Sequence, residues 1–187
     1  MIKRITIFGG SSPKPGEPAY EDGIQLGSHL GKGGFTVLTG GYIGIMEAVS
    51  RGAAEAGGHV IGITCEEIEG WRPVGPNPWV MEEIRFPSLR QRLFALVEMC
   101  DAAIALPGGI GTLAEISMMW THLDIGAIPP KPLILVGSSW QETIKQLVKS
   151  FPHYITEAQR KWLTIVPNID SAFITLQNLL SSTRKNP

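Results

Sequence analysis

Leu106-Pro107-Gly108-Gly109-Ile110-Gly111-Thr112-Leu113-Ala114-Glu115 begins where a short apolar run, 102–106, ends. Glycines let a backbone turn sharply and approach a ligand closely. The residues after them, 111–125, suit a helix, so the segment reads as strand, glycine turn, helix. A helix opening near Gly111 aims its free N–H groups and positive dipole end out of the turn. A phosphate suits that place, with the Thr112 hydroxyl as a further donor. A purely structural reading competes. Thr112-x-x-Glu115 has the spacing of a capping box, which would satisfy the helix end without any ligand.

The same alternation runs through the chain. Apolar or β-branched runs at 5–8, 35–38, 60–63, 102–106, 133–136 and 163–166 read as strands. Residues 17–32, 43–57, 88–100, 111–125, 139–151, 156–162 and 169–181 read as helices. Residues 64–86 hold three prolines and two tryptophans and show no clear period. Near-continuous apolar strands alternating with helices predict an α/β fold whose parallel sheet is covered on both faces. There is no internal repeat and no linker, so a single domain over 1–187 is expected.

Glycine is abundant, 22 of 187 residues, and forms five Gly-Gly pairs. Gly9-Gly10, Gly40-Gly41 and Gly108-Gly109 each follow a strand, at the carboxyl edge where open α/β sheets bind ligands. Gly33-Gly34 and Gly57-Gly58 precede strands and read as helix caps. The second site loop is Gly40-Gly41-Tyr42-Ile43-Gly44-Ile45-Met46. Gly27-Ser28-His29-Leu30-Gly31-Lys32-Gly33 looks like a phosphate-binding P-loop, but it has three residues between its glycines instead of four and precedes a strand. Neither the glycine fingerprint nor the acidic residue of a dinucleotide site is present. Lys14 is the one lysine near the site loops, which argues against covalent pyridoxal chemistry. No cofactor and no metal are expected.

Bulk charge narrows the partners. Sixteen Lys+Arg against seventeen Asp+Glu give a net charge of -1, with no basic excess for nucleic acid or an anionic membrane. Cys65 and Cys100 show neither disulfide-framework nor zinc spacing. The apolar run after Met1-Ile2-Lys3-Arg4 is too short for a signal peptide. A cytoplasmic protein is expected.

Helix 88–100 opens on Ser88-x-x-Gln91, another capping-box spacing. Leu89, Leu93, Leu96, Val97 and Cys100 form one core stripe, with Arg92 at its boundary, where the guanidinium can reach a cleft. Phe94 and Met99 lie off that stripe. Met118-Met119-Trp120 on the 111–125 helix cannot all face one core, so a homodimer through the two helices is expected. On the second helix the stripe is Leu113, Ile116, Trp120 and Leu123, with Glu115 and His122 on the opposite face.

Pro107-Gly108-Gly109-x-Gly111-Thr112-x-x-Glu115 resembles the PGGxGTxxE signature of the LOG family, proteins often labelled lysine decarboxylases. Family members are cytokinin-type nucleoside 5′-monophosphate phosphoribohydrolases. Arg92 stands fifteen residues before Pro107, where the family has its arginine. Gly40-Gly41-x-x-Gly44-x-Met46 and Phe8-Gly9-Gly10-Ser11-Ser12 are similar to the family's other two glycine loops. The resemblance implies a Rossmann-like three-layer α/β/α sandwich, a homodimer, and release of a free base and ribose 5-phosphate from a nucleoside monophosphate. It implies Arg92 and Glu115 as the catalytic pair. It also implies a phosphate and nucleotide site at Gly9, Gly10, Ser11, Gly40, Gly41, Gly44, Met46, Pro107, Gly108, Gly109, Gly111 and Thr112. The chain departs from the family in having Leu93 for a lysine, Glu47 for a glycine, and an altered 64–87 segment. A non-catalytic nucleotide-binding or molybdenum-cofactor carrier on the same fold is the alternative.

Overall fold

The structure is a computed structural model that describes residues 2–182. Met1 and 183–187, part of the expected 1–187 domain, lie outside the described residues. The elements are β1 (Arg4–Phe8), α1 (Pro18–Lys32), β2 (Thr36–Thr39), α2 (Ile45–Glu55), β3 (Val60–Cys65), α3 (Glu66–Trp71), β4 (Glu82–Phe86), α4 (Leu89–Glu98), β5 (Ala102–Ala105), α5 (Ile110–Asp124), β6 (Leu133–Val136), α6 (Ser138–Ser150), α7 (Glu157–Arg160), β7 (Leu163–Val166) and α8 (Ile169–Ser182). The strands form one seven-stranded sheet in the order β4-β3-β2-β1-β5-β6-β7, with every pairing parallel. The fold is the α/β sandwich read from the alternation of runs.

Strand periodicity divides the core. Ile5 and Ile7 of β1 pack with Leu26, Leu30, Val49 and Leu176 of α1, α2 and α8. Phe8 points to the other face, with Leu96, Ile116 and Trp140 of α4, α5 and α6. Thr6, also on that face, donates its hydroxyl hydrogen bond to the Leu96 carbonyl at 2.8 Å, so a polar residue sits in the core without an unmet bond. The chain leaves β1 toward β2 in one direction and returns to place β5 on its other side. That reversal makes the crevice between the ends of β1 and β5 the topological switch point.

Three sequence expectations are corrected. The 64–86 segment holds α3 and the edge strand β4. The sequence Glu-Glu-Ile-Arg-Phe of β4 is largely exposed because an edge strand has a neighbour on one side alone, so it lacks the apolar run of its interior partners. On α5 the core face is Ile116, Met119 and Leu123, with Thr112 buried at its start, while Leu113 is exposed. Met118 and Trp120 are half-buried beside that core, as are Phe94 and Met99 on and after α4. The Thr112–Glu115 capping box does not form. The N-cap of α5 is Gly109, with no side-chain cap, so Glu115 lies beyond the first turn. On α4, Ser88 does cap the helix by accepting from the Gln91 amide at 3.3 Å.

The residues resembling a P-loop have a packing role. Gly23, Gly27 and Gly31 line one face of α1 and let α2 approach backbone to backbone. A Cβ on Gly27 would collide with the Val49 carbonyl oxygen, and one on Gly52 with that of Ile24. Gly34 and Gly57 carry positive φ at the ends of the same two helices, as caps. Gly27→Ala should therefore destabilise the protein by about 1–3 kcal/mol through overpacking. Urea unfolding of the purified variant measures it, and an unchanged midpoint would contradict this packing.

Candidate active site

The three glycine loops meet at the switch point. The Gly10 amide donates to the Pro107 carbonyl at 3.1 Å, and the Ile45 amide donates to the Gly10 carbonyl at 2.9 Å. Gly44 has φ +73°, and a Cβ there would lie 2.6 Å from the Gly10 oxygen, so both its conformation and its contact demand glycine. Beside this junction opens a cavity of about 420 Å³, within the usual range for small-molecule sites.

Arg92 spans the floor of the cavity. Its Nε donates to the Ile63 carbonyl at 2.8 Å and its Nη2 to the Gly40 carbonyl at 3.2 Å. Ile63 lies near the carboxyl end of β3, and Gly40 directly follows β2. The guanidinium also stands over the Tyr42 ring, 5.6 Å from its centroid, a cation–π arrangement. A Cβ on Gly40 would occupy the place of Nη2. Arg92 is thus buried, at 5% exposure, where the periodicity of α4 put it on a boundary. The strand-end carbonyls supply what no helical pattern reveals, acceptors that compensate a buried cation. Leu89 and Leu93, expected in the core, line the cavity instead.

Glu115 faces Arg92 from α5. Its Oε1 lies 3.9 Å from Nη1, too long for a hydrogen bond, and its side chain is 12% exposed. Burial pushes its carboxyl up to about 7, while the Arg92 charge pulls the other way. A carboxyl that changes charge near neutrality, beside a fixed cation, is suited to proton or charge chemistry. One turn earlier, the amides of Ile110, Gly111 and Thr112 precede the first intrahelical bond of α5, which runs from the Leu113 amide to the Gly109 carbonyl at 3.0 Å. They form a place for an anion.

Of the residues singled out in the sequence, Gly9, Gly10, Ser11, Met46, Arg92, Gly109, Gly111, Thr112 and Glu115 line the cavity. Gly40, Gly41, Gly44, Pro107 and Gly108 are outside its lining and shape the wall: the Gly41 carbonyl receives the Asn77 side chain at 3.0 Å, and Gly108 packs on Thr112. His122, on the face of α5 that carries Glu115, packs against the Phe94 ring in a tilted arrangement, with centroids 5.4 Å apart. Tyr42, Ile68, Trp71 and Arg72 also line the cavity and were missed. Three of them come from the aperiodic segment, whose adjacent Trp71-Arg72 was the one available signal. No lysine lines the cavity, and no group of three potential metal ligands occurs among the described residues.

Comparisons with known proteins identify the family. A family model described as possible lysine decarboxylase matches residues 46–176. The probable cytokinin riboside 5′-monophosphate phosphoribohydrolase LOGL5 of Oryza sativa subsp. japonica is 35% identical over 128 residues, 66% of this chain and about half (51%) of the rice protein. The cytokinin riboside 5′-monophosphate phosphoribohydrolase LOG7 of Arabidopsis thaliana is 31% identical over 172 residues, 89% of this chain and 77% of the relative. Among solved structures, the molybdenum cofactor binding protein of Rippkaea orientalis superposes with a TM-score of 0.76 at 22% identity, covering 96% of this chain and 98% of that one. That likeness is one of fold.

The raised carboxyl has a consequence for stability. With its folded pKa above the unfolded one, Glu115 holds a proton in the folded state across the interval from about 4.5 to about 7. Its contribution is most favourable below that interval and is lost as pH rises through 7. Glu115→Gln, which cannot ionise, should gain on the wild type by on the order of 2 kcal/mol between pH 5 and pH 8. Denaturant unfolding at the two pH values reads this difference, and equal gaps would show that burial does not strain the carboxylate.

Proposed function

The chain belongs to the LOG family, whose other description is possible lysine decarboxylase, and from that premise we propose that it hydrolyses the N-glycosidic bond of a nucleoside 5′-monophosphate, cytokinin-type or AMP-like. The products are the free base and ribose 5-phosphate. The observation that carries the reading is Glu115, buried 3.9 Å from Arg92 in one cavity with the free N-terminus of α5. The lysine needed for a Schiff-base decarboxylation is missing from the lining.

The phosphate sits on the amides at 110–112 with the Ser11 and Thr112 hydroxyls beside it. That anchorage sets the ribose against Glu115, so binding energy from the phosphate positions the reacting carbon. As the C1′–N bond breaks, its electron pair moves to the base nitrogen and positive charge grows on the ribose ring. Ionised Glu115 stabilises that charge or orients the water that adds to C1′, and the water's proton leaves with the base. Arg92, held by two strand carbonyls, fixes the carboxylate. Gly9, Gly10 and Met46 complete the nucleotide wall, while Gly40, Gly41, Gly44, Pro107 and Gly108 hold its loops in place.

The protein acts in the cytoplasm as a homodimer. Cys65 and Cys100 are free, as in a reducing compartment, and no helix among the described residues is long and apolar enough to cross a membrane. Leu89, Ile110 and Leu113 on α4 and α5 are 40%, 89% and 39% exposed, an apolar surface that a second copy would cover.

Three measurements test this. Incubation with AMP or isopentenyl-AMP should release ribose 5-phosphate, and Glu115→Gln or Arg92→Ala should lower kcat by about a hundredfold or more. Binding without turnover, unchanged by Arg92→Ala, would instead indicate a carrier. The kcat of the wild type should rise with pH through about 7 as Glu115 ionises, whereas a fall over that range would require the acid form. Sedimentation at micromolar concentration should give twice the 20.3 kDa chain mass, and a monomer would refute the dimer.

A further inference from the structure

The cavity is longer than the phosphate and ribose require. Its glycine end lies over β1 and β5. Its other end, lined by Ile68, Trp71 and Arg72, is carried by α3 directly after β3. In this sheet β3 stands two strands from β1 and three from β5. At about 4.8 Å per strand the two ends are roughly 10–14 Å apart. Glu115 and Arg92 lie between them, because Arg92 is tied to β2 and β3 while Glu115 reaches across from the β5 side. With the phosphate at the α5 N-terminus and C1′ at Glu115, the base has one direction left, toward α3.

That end has a defined chemistry. Leu89, Leu93 and Ile68 make it apolar, and the Trp71 ring, 79% exposed, offers a stacking face. The Arg72 guanidinium lies 5.7 Å from the Trp71 ring centroid. Its Nε–H is shielded from solvent and has no hydrogen-bond partner. Nearby acids are engaged elsewhere. Glu69 pairs with Arg85 at 2.6 Å and accepts from the Tyr42 hydroxyl at 3.3 Å, and Glu67 accepts from the Leu89 amide at 2.7 Å. Arg92 gives its Nε and an Nη2 donor to backbone carbonyls and turns Nη1 toward Glu115. Arg72, half-buried and lining the base end, therefore carries one guanidinium N–H with an unmet need for an acceptor.

We infer that Arg72, backed by Trp71, is the base-binding residue of this site and selects heteroaromatic bases that present a hydrogen-bond acceptor on their edge. The inference rests on the nucleotide reading above and adds what the base must look like. Adjacent acceptors such as N7 and O6 of a 6-oxopurine match a guanidinium best. The same contact favours departure of the base, since it strengthens as negative charge collects there.

The test separates the base from the phosphate. Calorimetric titrations with GMP, AMP and ribose 5-phosphate are run in the Glu115→Gln background, where substrate is not consumed. Adding Arg72→Ala should weaken GMP at least tenfold, AMP less, and ribose 5-phosphate not at all. Unchanged GMP affinity overturns the inference. So does an equal loss for ribose 5-phosphate, which would put Arg72 on the phosphate or in the scaffold. Should Arg72→Ala fail to fold, Arg72→Gln carries the same comparison. The ribose 5-phosphate release assay on the wild type stands apart: no release from any nucleotide sinks the hydrolase reading, while the binding contrast still decides the role of Arg72.

Discussion

The site is organised around one buried cation. The Arg92 guanidinium leaves α4, donates to the Ile63 carbonyl of β3 and the Gly40 carbonyl just past β2, stands over Tyr42 and ends 3.9 Å from the carboxylate of α5. A buried charge without such compensation would weigh heavily against folding. The positions of β2, β3, α4 and α5 are therefore coupled. Gly40 is part of the same constraint, since any side chain there would displace the guanidinium. The carboxylate is less well satisfied than the cation, and burial raises its pKa toward neutrality. Strain of that kind gathers where chemistry needs a group near its titration point.

The parallel sheet explains why this constellation lies where it does. All seven strands run the same way, so every carboxyl end opens on one edge, and the reversal between β1 and β5 leaves a crevice there. Glycine loops fill it because three backbones must cross within a few ångströms of one another. Residues between Gly109 and Glu115 form one wall. The other wall is carried by α3 and its flank, through Ile68, Trp71 and Arg72.

The glycine excess noted in the sequence divides into three uses. Some glycines turn the site loops, and Gly34 and Gly57 end helices. The third group, Gly23, Gly27, Gly31 and Gly52, lets α1 and α2 touch through their backbones. The last use was illegible because a glycine every four residues in a helix looks the same whether it faces solvent or another helix. The segment 64–86 was illegible for a related reason: an edge strand and a six-residue helix carry too little one-sided burial to imprint a period.

Arg92 and Glu115 were paired as candidates by the resemblance to the LOG family, while the sequence alone determined the α/β fold class and the strand-end positions of the three glycine loops. These are local matters: apolar runs dictate buried strands, and glycine placement dictates turns. The tertiary structure decided the rest. It buried Arg92 beneath carbonyls at the ends of two strands, turned Leu89 and Leu93 from the core to the cavity, and brought Trp71 and Arg72 into the cavity lining. Each of these depends on contacts between segments far apart in the chain, whose energies are absent from any local pattern and exist only once the sheet has assembled.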